Sequence, residues 1–172
     1  LDKKAHLYQR RFFNEDGTVA YEEITDNDVV TYRFPDRLIC SKEELIGYMV
    51  TRLNLTRRDT VIIDRTTGTG QAILKNAYPA RIGVVIHADH FNVTGTDEDH
   101  ILWNNYYEYA FSQHRHIKFY IASTDVQNGL LKEQFKKYKG AKPKIVTIPV
   151  GSLKALKRPE KGRKRHSLIT AS

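Results

Sequence analysis

"IGVVIHADHFN", residues 82–92, decides how this chain is read. A strand with one face in water alternates apolar and polar side chains, whereas Ile82, Gly83, Val84, Val85 and Ile86 run on without a polar break. Such a run, bounded by polar loops, points to a strand covered on both faces, the usual state of strands in a parallel sheet. The run ends on His87, and His90 follows. In open parallel sheets ligands bind beyond the carboxyl ends of the strands, so His87 emerges where a binding edge is expected.

Three further runs share this character: "TVIID" (60–64), "IKFYIAS" (117–123) and "KIVTIPV" (144–150). Helix-like segments at 70–76, 99–111 and 125–139 lie between them, and right-handed crossovers then build a Rossmann-like, doubly wound parallel α/β sheet. Upstream, residues 7–24 hold two extended runs around Asp16-Gly17, the signal of a β-hairpin. Ser41 and Glu44 form a capping box opening a helix on which Leu45, Ile46, Met49, Val50 and Leu53 recur at helical spacing.

At 172 residues and 40% hydrophobic content the chain can bury one core of ordinary size. No stretch approaches the ~18 apolar residues of a membrane span. The single cysteine, Cys40, excludes an intramolecular disulfide framework and a multi-cysteine zinc site. The net charge of +8 invites nucleic acid. Much of that charge, however, sits between Lys154 and Arg165 without an aromatic residue for base stacking, so no nucleic-acid partner is expected.

The loops at the predicted strand ends hold the candidate chemistry. "DRTTGTGQAIL" (64–74) carries Arg65 and, at Gly68 and Gly70, a turn that lets backbone N–H groups approach an anion. It lacks the third glycine of a dinucleotide fingerprint and the Lys-Ser/Thr of a P-loop, and a plain strand-to-helix turn explains it equally well. "HADHFNVTGTDEDH" (87–100) offers His87 and His90 as ligand-binding imidazoles. No metal is expected there, because HExxH and thiolates are absent and Asp97 and Asp99 suit the first turn of the following helix. In "ILWNNYYEYAF" (101–111), Leu102, Tyr106 and Tyr109 are expected in the core. Trp103, Asn104, Asn105 and Tyr107 are then the candidates for contact with an acceptor or with the cleft.

Taken together and in order, "YQRRFFNEDGTVAYEE", "SKEELIGYMVTRLNLT", "DRTTGTGQAIL", "GVVIHADHF", "ILWNNYYEYAF", "EQFKKY", "KIVTIPVGSL" and "GRKRHSLITAS" resemble segments of the accessory Sec system glycosyltransferase catalytic subunit of streptococci and their relatives. The resemblance implies a retaining glycosyltransferase of family 4 with the two-domain GT-B architecture and no catalytic metal or other cofactor. Residues 1–36 would be the end of an inserted extended β-sheet domain, 37–152 a partial first Rossmann-like domain, and 153–172 a basic linker with the start of the second. The implied reaction transfers N-acetylglucosamine from UDP-N-acetylglucosamine to Ser/Thr of a serine-rich repeat adhesin. It would take place in the cytoplasm, with peripheral attachment to the inner face of the membrane left open.

A homologous non-catalytic partner subunit is implied as well. By the same resemblance His87 matches the histidine that contacts the donor sugar and is the catalytic candidate, with His90 a second donor-binding candidate. The family's diphosphate-binding residues would lie beyond Ser172, so the isolated chain is expected to be inactive. Two alternatives stand beside this reading: a wall teichoic acid glycosyltransferase acting on poly(glycerol-phosphate) or poly(ribitol-phosphate), and a non-catalytic acceptor-binding module.

Overall fold

The computed structural model describes residues 8–149 and Gly151. The basic segment after 153 and the strand expected near its end lie outside the described residues. In chain order the elements are β1 (Gln9–Phe13), β2 (Val19–Asp26), β3 (Val29–Arg33), β4 (Leu38–Ile39), α1 (Lys42–Arg52), β5 (Thr60–Ile63), α2 (Gly70–Asn76) and β6 (Arg81–Ile86). Then follow β7 (Phe91–Asn92), β8 (Leu102–Trp103), α3 (Asn105–Ser112), a 3-10 turn (His114–His116), β9 (Phe119–Ala122), α4 (Asp125–Lys139) and β10 (Ile145–Thr147).

The four apolar runs form one parallel sheet in the order β10-β9-β6-β5, the α/β core expected from their composition. The first four strands form a separate antiparallel sheet in the order β1-β2-β3-β4. Its first turn uses Gly17 at φ +83, a left-handed conformation that glycine adopts without strain, and Asp16 Oδ1 accepts the Thr18 N–H at 2.9 Å. The sheet extends past the single hairpin expected from the sequence. Asn27 and Asp28, at φ 46 and 64, make a tight turn that brings β3 back against β2. Asn and Asp tolerate this region better than other side chains, so the pair can turn without a glycine.

Ser41 caps α1 by accepting the Glu44 N–H at 3.1 Å, and Glu44 accepts in turn from the Cys40 N–H at 3.0 Å. Of the apolar residues assigned to this helix's inner face, Leu45 is buried, but Met49 and Leu53 are exposed. Gly47 faces α2 instead, so close that a Cβ there would lie 2.8 Å from Asn76 Nδ2. The small residue lets the two helices meet where a larger one would hold them apart.

The core of the α/β part is built on Ile63, Val84, Ile86, Tyr120 and Ala122 from the sheet, with Phe111, Leu131 and Phe135 from the helices. Phe111 is its aromatic centre, with ring centroids of Trp103, Phe135 and Tyr120 at 4.7, 5.2 and 5.6 Å. Edge-to-face arrangements of this kind add to simple area burial.

The helix expected over 99–111 starts only at Asn105. Residues 102–103 pair with β7, opposing Trp103 to Phe91, and Asn104 then caps α3 by accepting the Tyr106 N–H at 3.1 Å. The later start changes the phase of the helix. Tyr107, Ala110 and Phe111 face the core, while Leu102 and Tyr106, both assigned to the core from spacing, are exposed. A short strand inside an aromatic run breaks the 3.6-residue period on which that assignment rested.

Candidate active-site edge

Parallel pairing of β5 with β6 sets Ile63 opposite Val84. Asp64 and His87 therefore leave the sheet on the same edge, and His87 Nε2 meets Asp64 Oδ1 at 2.7 Å. A neutral imidazole fits this contact with its proton on Nε2, donated to the carboxylate, which leaves the Nδ1 lone pair as an acceptor. Both side chains are substantially exposed, 45% for His87 and 72% for Asp64. Water screens such a pair, so its consequence is orientation of the ring rather than stability of the fold.

The backbone beneath the ring is held from two helices. Tyr107 of α3 accepts from the N–H groups of His87 and Ala88 at 3.1 and 3.2 Å. Gln127 of α4 donates to the Ala88 carbonyl at 3.0 Å and accepts the Ser123 N–H at 3.0 Å. Past the end of β6 the chain has left the ladder, and side chains satisfy backbone groups that sheet partners no longer reach.

A cleft of about 500 Å³ opens at this edge, lined by Asp64, Arg65, Thr66, His87, Tyr106 and Tyr107 among others. Thr66 donates its hydroxyl to the Tyr106 carbonyl, tying the turn after β5 to α3. An adjoining depression takes in Gly68 and Asn105. Gly68 stands at φ +73, a conformation that strains other residues, and Gly70 sits close enough to Thr66 for a Cβ to lie 3.0 Å from its Cβ. Arg65, Gly68, Asn105, Tyr107 and His87 thus share one edge. Asp64 and Tyr106 join them although the sequence reading did not choose them as site residues. The signal was available for Asp64, which follows its strand as His87 follows the neighbouring one.

Three candidates belong elsewhere. Trp103 is buried against Phe111 and Phe135 and presents no ring to an acceptor. His90, read as a second donor-binding imidazole, borders a depression beside Ser123 yet is only 2% exposed. Its Nε2 lies 2.6 Å from Gln134 Oε1, and the rings of Phe91, Trp103 and Phe111 surround it. The apolar phase of α3 and α4 draws it inward. Asn104 is spent on local structure, capping α3 and donating to the Asp89 carbonyl at 3.2 Å. Asp97 lies well before α3; its carboxylate accepts from the N–H groups of Asp99 and His100, which hold its pKa below the usual carboxylate value. Among the described residues no group of three or more His, Cys, Asp or Glu side chains could hold a metal ion.

Burial lowers the pKa of His90, with the Gln134 contact opposing. An unfolded histidine titrates near ~6.5, so below that pH the unfolded chain takes up a proton that the folded chain resists. Stability from this residue is complete above ~6.5 and is lost as pH falls from there through the lowered folded value. Urea midpoints measured at pH 7.5 and 5.5 are expected to show a drop that shrinks in His90→Gln. An equal drop in both proteins would rule out this assignment.

A parallel α/β sheet beside a separate antiparallel sheet is a fold that this chain shares with solved glycosyltransferases of the GT-B class. Residues 1–36 match the family model described as the GtfA extended beta-sheet domain. The chain is 52% identical over 167 residues to the GtfA subunit of the UDP-N-acetylglucosamine–peptide N-acetylglucosaminyltransferase of Streptococcus agalactiae, covering 96% of this chain and 33% of that protein.

Among solved structures it superimposes on a GtfA/B complex with a TM-score of 0.83 at 44% identity, over 95% of this chain and 33% of the other. It also matches the pneumococcal O-GlcNAc transferase GtfA in complex with UDP and GlcNAc, with a TM-score of 0.81 at 46% identity, over 88% of this chain and 30% of the other. TarM shares the fold alone, at 19% identity and a TM-score of 0.56 over 83% of this chain and 30% of its own. The resemblance read from the sequence therefore holds, and the chain spans about a third of the length of the GtfA subunits it matches.

Proposed function

We propose that this chain forms one wall of the active cleft of a retaining glycosyltransferase that moves N-acetylglucosamine from UDP-N-acetylglucosamine to Ser/Thr hydroxyls of a serine-rich acceptor protein. The observation that carries the reading is the His87 imidazole at the open edge of the sheet, oriented by Asp64 and set beside a cleft lined by Arg65 and Tyr107. Support comes from the names of its relatives, peptide N-acetylglucosaminyltransferases, and from a solved relative with UDP and GlcNAc.

In this role His87 contacts the donor sugar. In the tautomer that gives Nε2–H to Asp64, Nδ1 is free to accept from a sugar hydroxyl, and Arg65 adds positive charge to the same cleft. Charge that develops on a departing diphosphate needs such donors already in place. The cations that take most of that charge, by this reading, come from a second domain facing this one. A second subunit, as in the GtfA/B complex, would present the acceptor protein. The work belongs in the cytoplasm, where sugar nucleotides are made. No helix among the described residues is long and apolar enough to cross a membrane.

The test uses the full-length protein assembled with its partner subunit and labelled UDP-N-acetylglucosamine, offered either a Ser/Thr-rich peptide or a polyol-phosphate polymer. Label on the peptide hydroxyls is the expected result. Label on the polymer alone would overturn the acceptor, and no label on either would overturn the activity.

A further inference from the structure

We propose that Tyr107 is a positioning residue for the transfer reaction, its phenolic oxygen fixing the backbone from which His87 reaches the cleft; the inference rests on the donor-contacting role of His87 given above. Tyr107 lies in the first turns of α3, is 5% exposed, and has its ring stacked on Phe111 with centroids 5.9 Å apart. The ring is thus seated on the largest aromatic cluster of the core. From that base its oxygen accepts two consecutive N–H groups, His87 at 3.1 Å and Ala88 at 3.2 Å.

Two successive N–H groups aimed at one oxygen fix the backbone direction at the point where the strand ends. A loop residue without such a hold would be free to rotate about φ and ψ, and the imidazole would move with it. On the other side Gln127 fixes the Ala88 carbonyl, so residues 87 and 88 are pinned from α3 and from α4 at once. Asp64 then selects the ring's rotation. Tyr107 acts one step behind the ring, through the main chain.

The chemistry makes the substitution informative. Tyr107→Phe keeps the ring, and with it the contact with Phe111, but removes the acceptor shared by both N–H groups. A partly buried N–H without an acceptor seeks another partner, and the loop shifts to find one. Misplacement of a contacting group by about an ångström can cost on the order of 100-fold in rate.

Transfer kinetics are measured on the full-length protein with its partner subunit for the parent, Tyr107→Phe, His87→Ala and the double variant. A further variant, Tyr120→Phe, loses a buried hydroxyl donated to the Ala110 carbonyl away from the cleft and controls for a general loss of stability. Tyr107→Phe is expected to lower kcat/KM by about 10- to 100-fold. In the His87→Ala background the same change is expected to add less than about twofold, because a hold on an absent side chain has nothing left to hold.

Tyr120→Phe is expected to leave kinetics unchanged while lowering the thermal midpoint. Full loss from Tyr107→Phe in both backgrounds would overturn the positioning role and make Tyr107 an independent contact or a structural residue. Wild-type kinetics in Tyr107→Phe would overturn it as well. Full activity in His87→Ala alone would instead remove the donor-contacting role on which the inference rests, an outcome visible separately in the same set.

Discussion

On the function proposed above, replacing His87 with alanine in the full-length protein, assembled with a partner subunit, is expected to lower kcat/KM for N-acetylglucosamine transfer by about 100- to 1,000-fold, the loss typical when one preorganised polar contact to the reacting groups is removed. The fold is expected to survive. The His87 side chain is 45% exposed, its partner Asp64 is more exposed still, and water replaces both contacts without leaving a buried group unpaired. The backbone hold from Tyr107 and Gln127 does not involve the imidazole and stays in place.

A deep kinetic loss with an unchanged urea midpoint therefore assigns His87 to the cleft. His87→Asn should recover part of the rate, since an amide oxygen can accept from a hydroxyl roughly where Nδ1 does. A variant at parental rate would return His87 to the position of an ordinary residue at a strand end. The comparison with His90→Gln sharpens this: that substitution alters the pH dependence of folding and is expected to spare the rate, because the His90 imidazole lies in the core against Gln134.

The difference between the two histidines marks how far the sequence could be read. All four strands of the parallel sheet announced themselves as continuous apolar runs, yet only β6 is largely buried on both faces; Ile62 of β5 and Val146 of β10 are exposed among the described residues, so the runs marked the strands without marking which faces are covered. The helices at 70–76 and 125–139 were equally clear, the second closed by Gly140 at φ +60 after a last turn rich in lysine. Around His90 and Trp103 the reading failed for a physical reason. Two-residue strands carry no period of their own, so β7 and β8 were invisible, and the helical phase was counted from the wrong start.

Moving that start to Asn105 exchanged the faces of the segment, putting Tyr106 at the cleft and Trp103 in the core. The contact between Asp64 and His87 joins residues 23 apart in sequence. It follows from the register of two parallel strands, which the apolar runs predict in kind but not in alignment. The second hairpin turn, at Asn27 and Asp28, was missed because it uses side chains that tolerate a left-handed backbone rather than the glycine that marks the first.

Replacing Phe111 with alanine is expected to destabilise the folded chain by about 3–5 kcal/mol, near the upper end for a single core substitution. The residue is fully buried, and its ring touches those of Trp103, Tyr107, Tyr120 and Phe135. These neighbours come from β8, α3, β9 and α4, so no single element can close over the void by a small shift. The cost therefore includes the cavity as well as the lost burial, out of a total stability of about 5–15 kcal/mol for a domain of this kind.

Phe13→Ala, on a 61% exposed side chain of the antiparallel sheet, is the matched control and is expected to cost under about 1 kcal/mol. Urea unfolding of the two variants beside the parent gives the comparison. A second effect should accompany the loss at Phe111: the Tyr107 ring rests on it, so amide exchange at His87 and Ala88 should quicken by more than at β1. Faster exchange confined to residues 87 and 88 in Phe111→Ala would tie the cleft edge to the core through Tyr107. Uniform acceleration across the sheet would mean that the substitution loosens the fold as a whole, with no privileged link to the cleft.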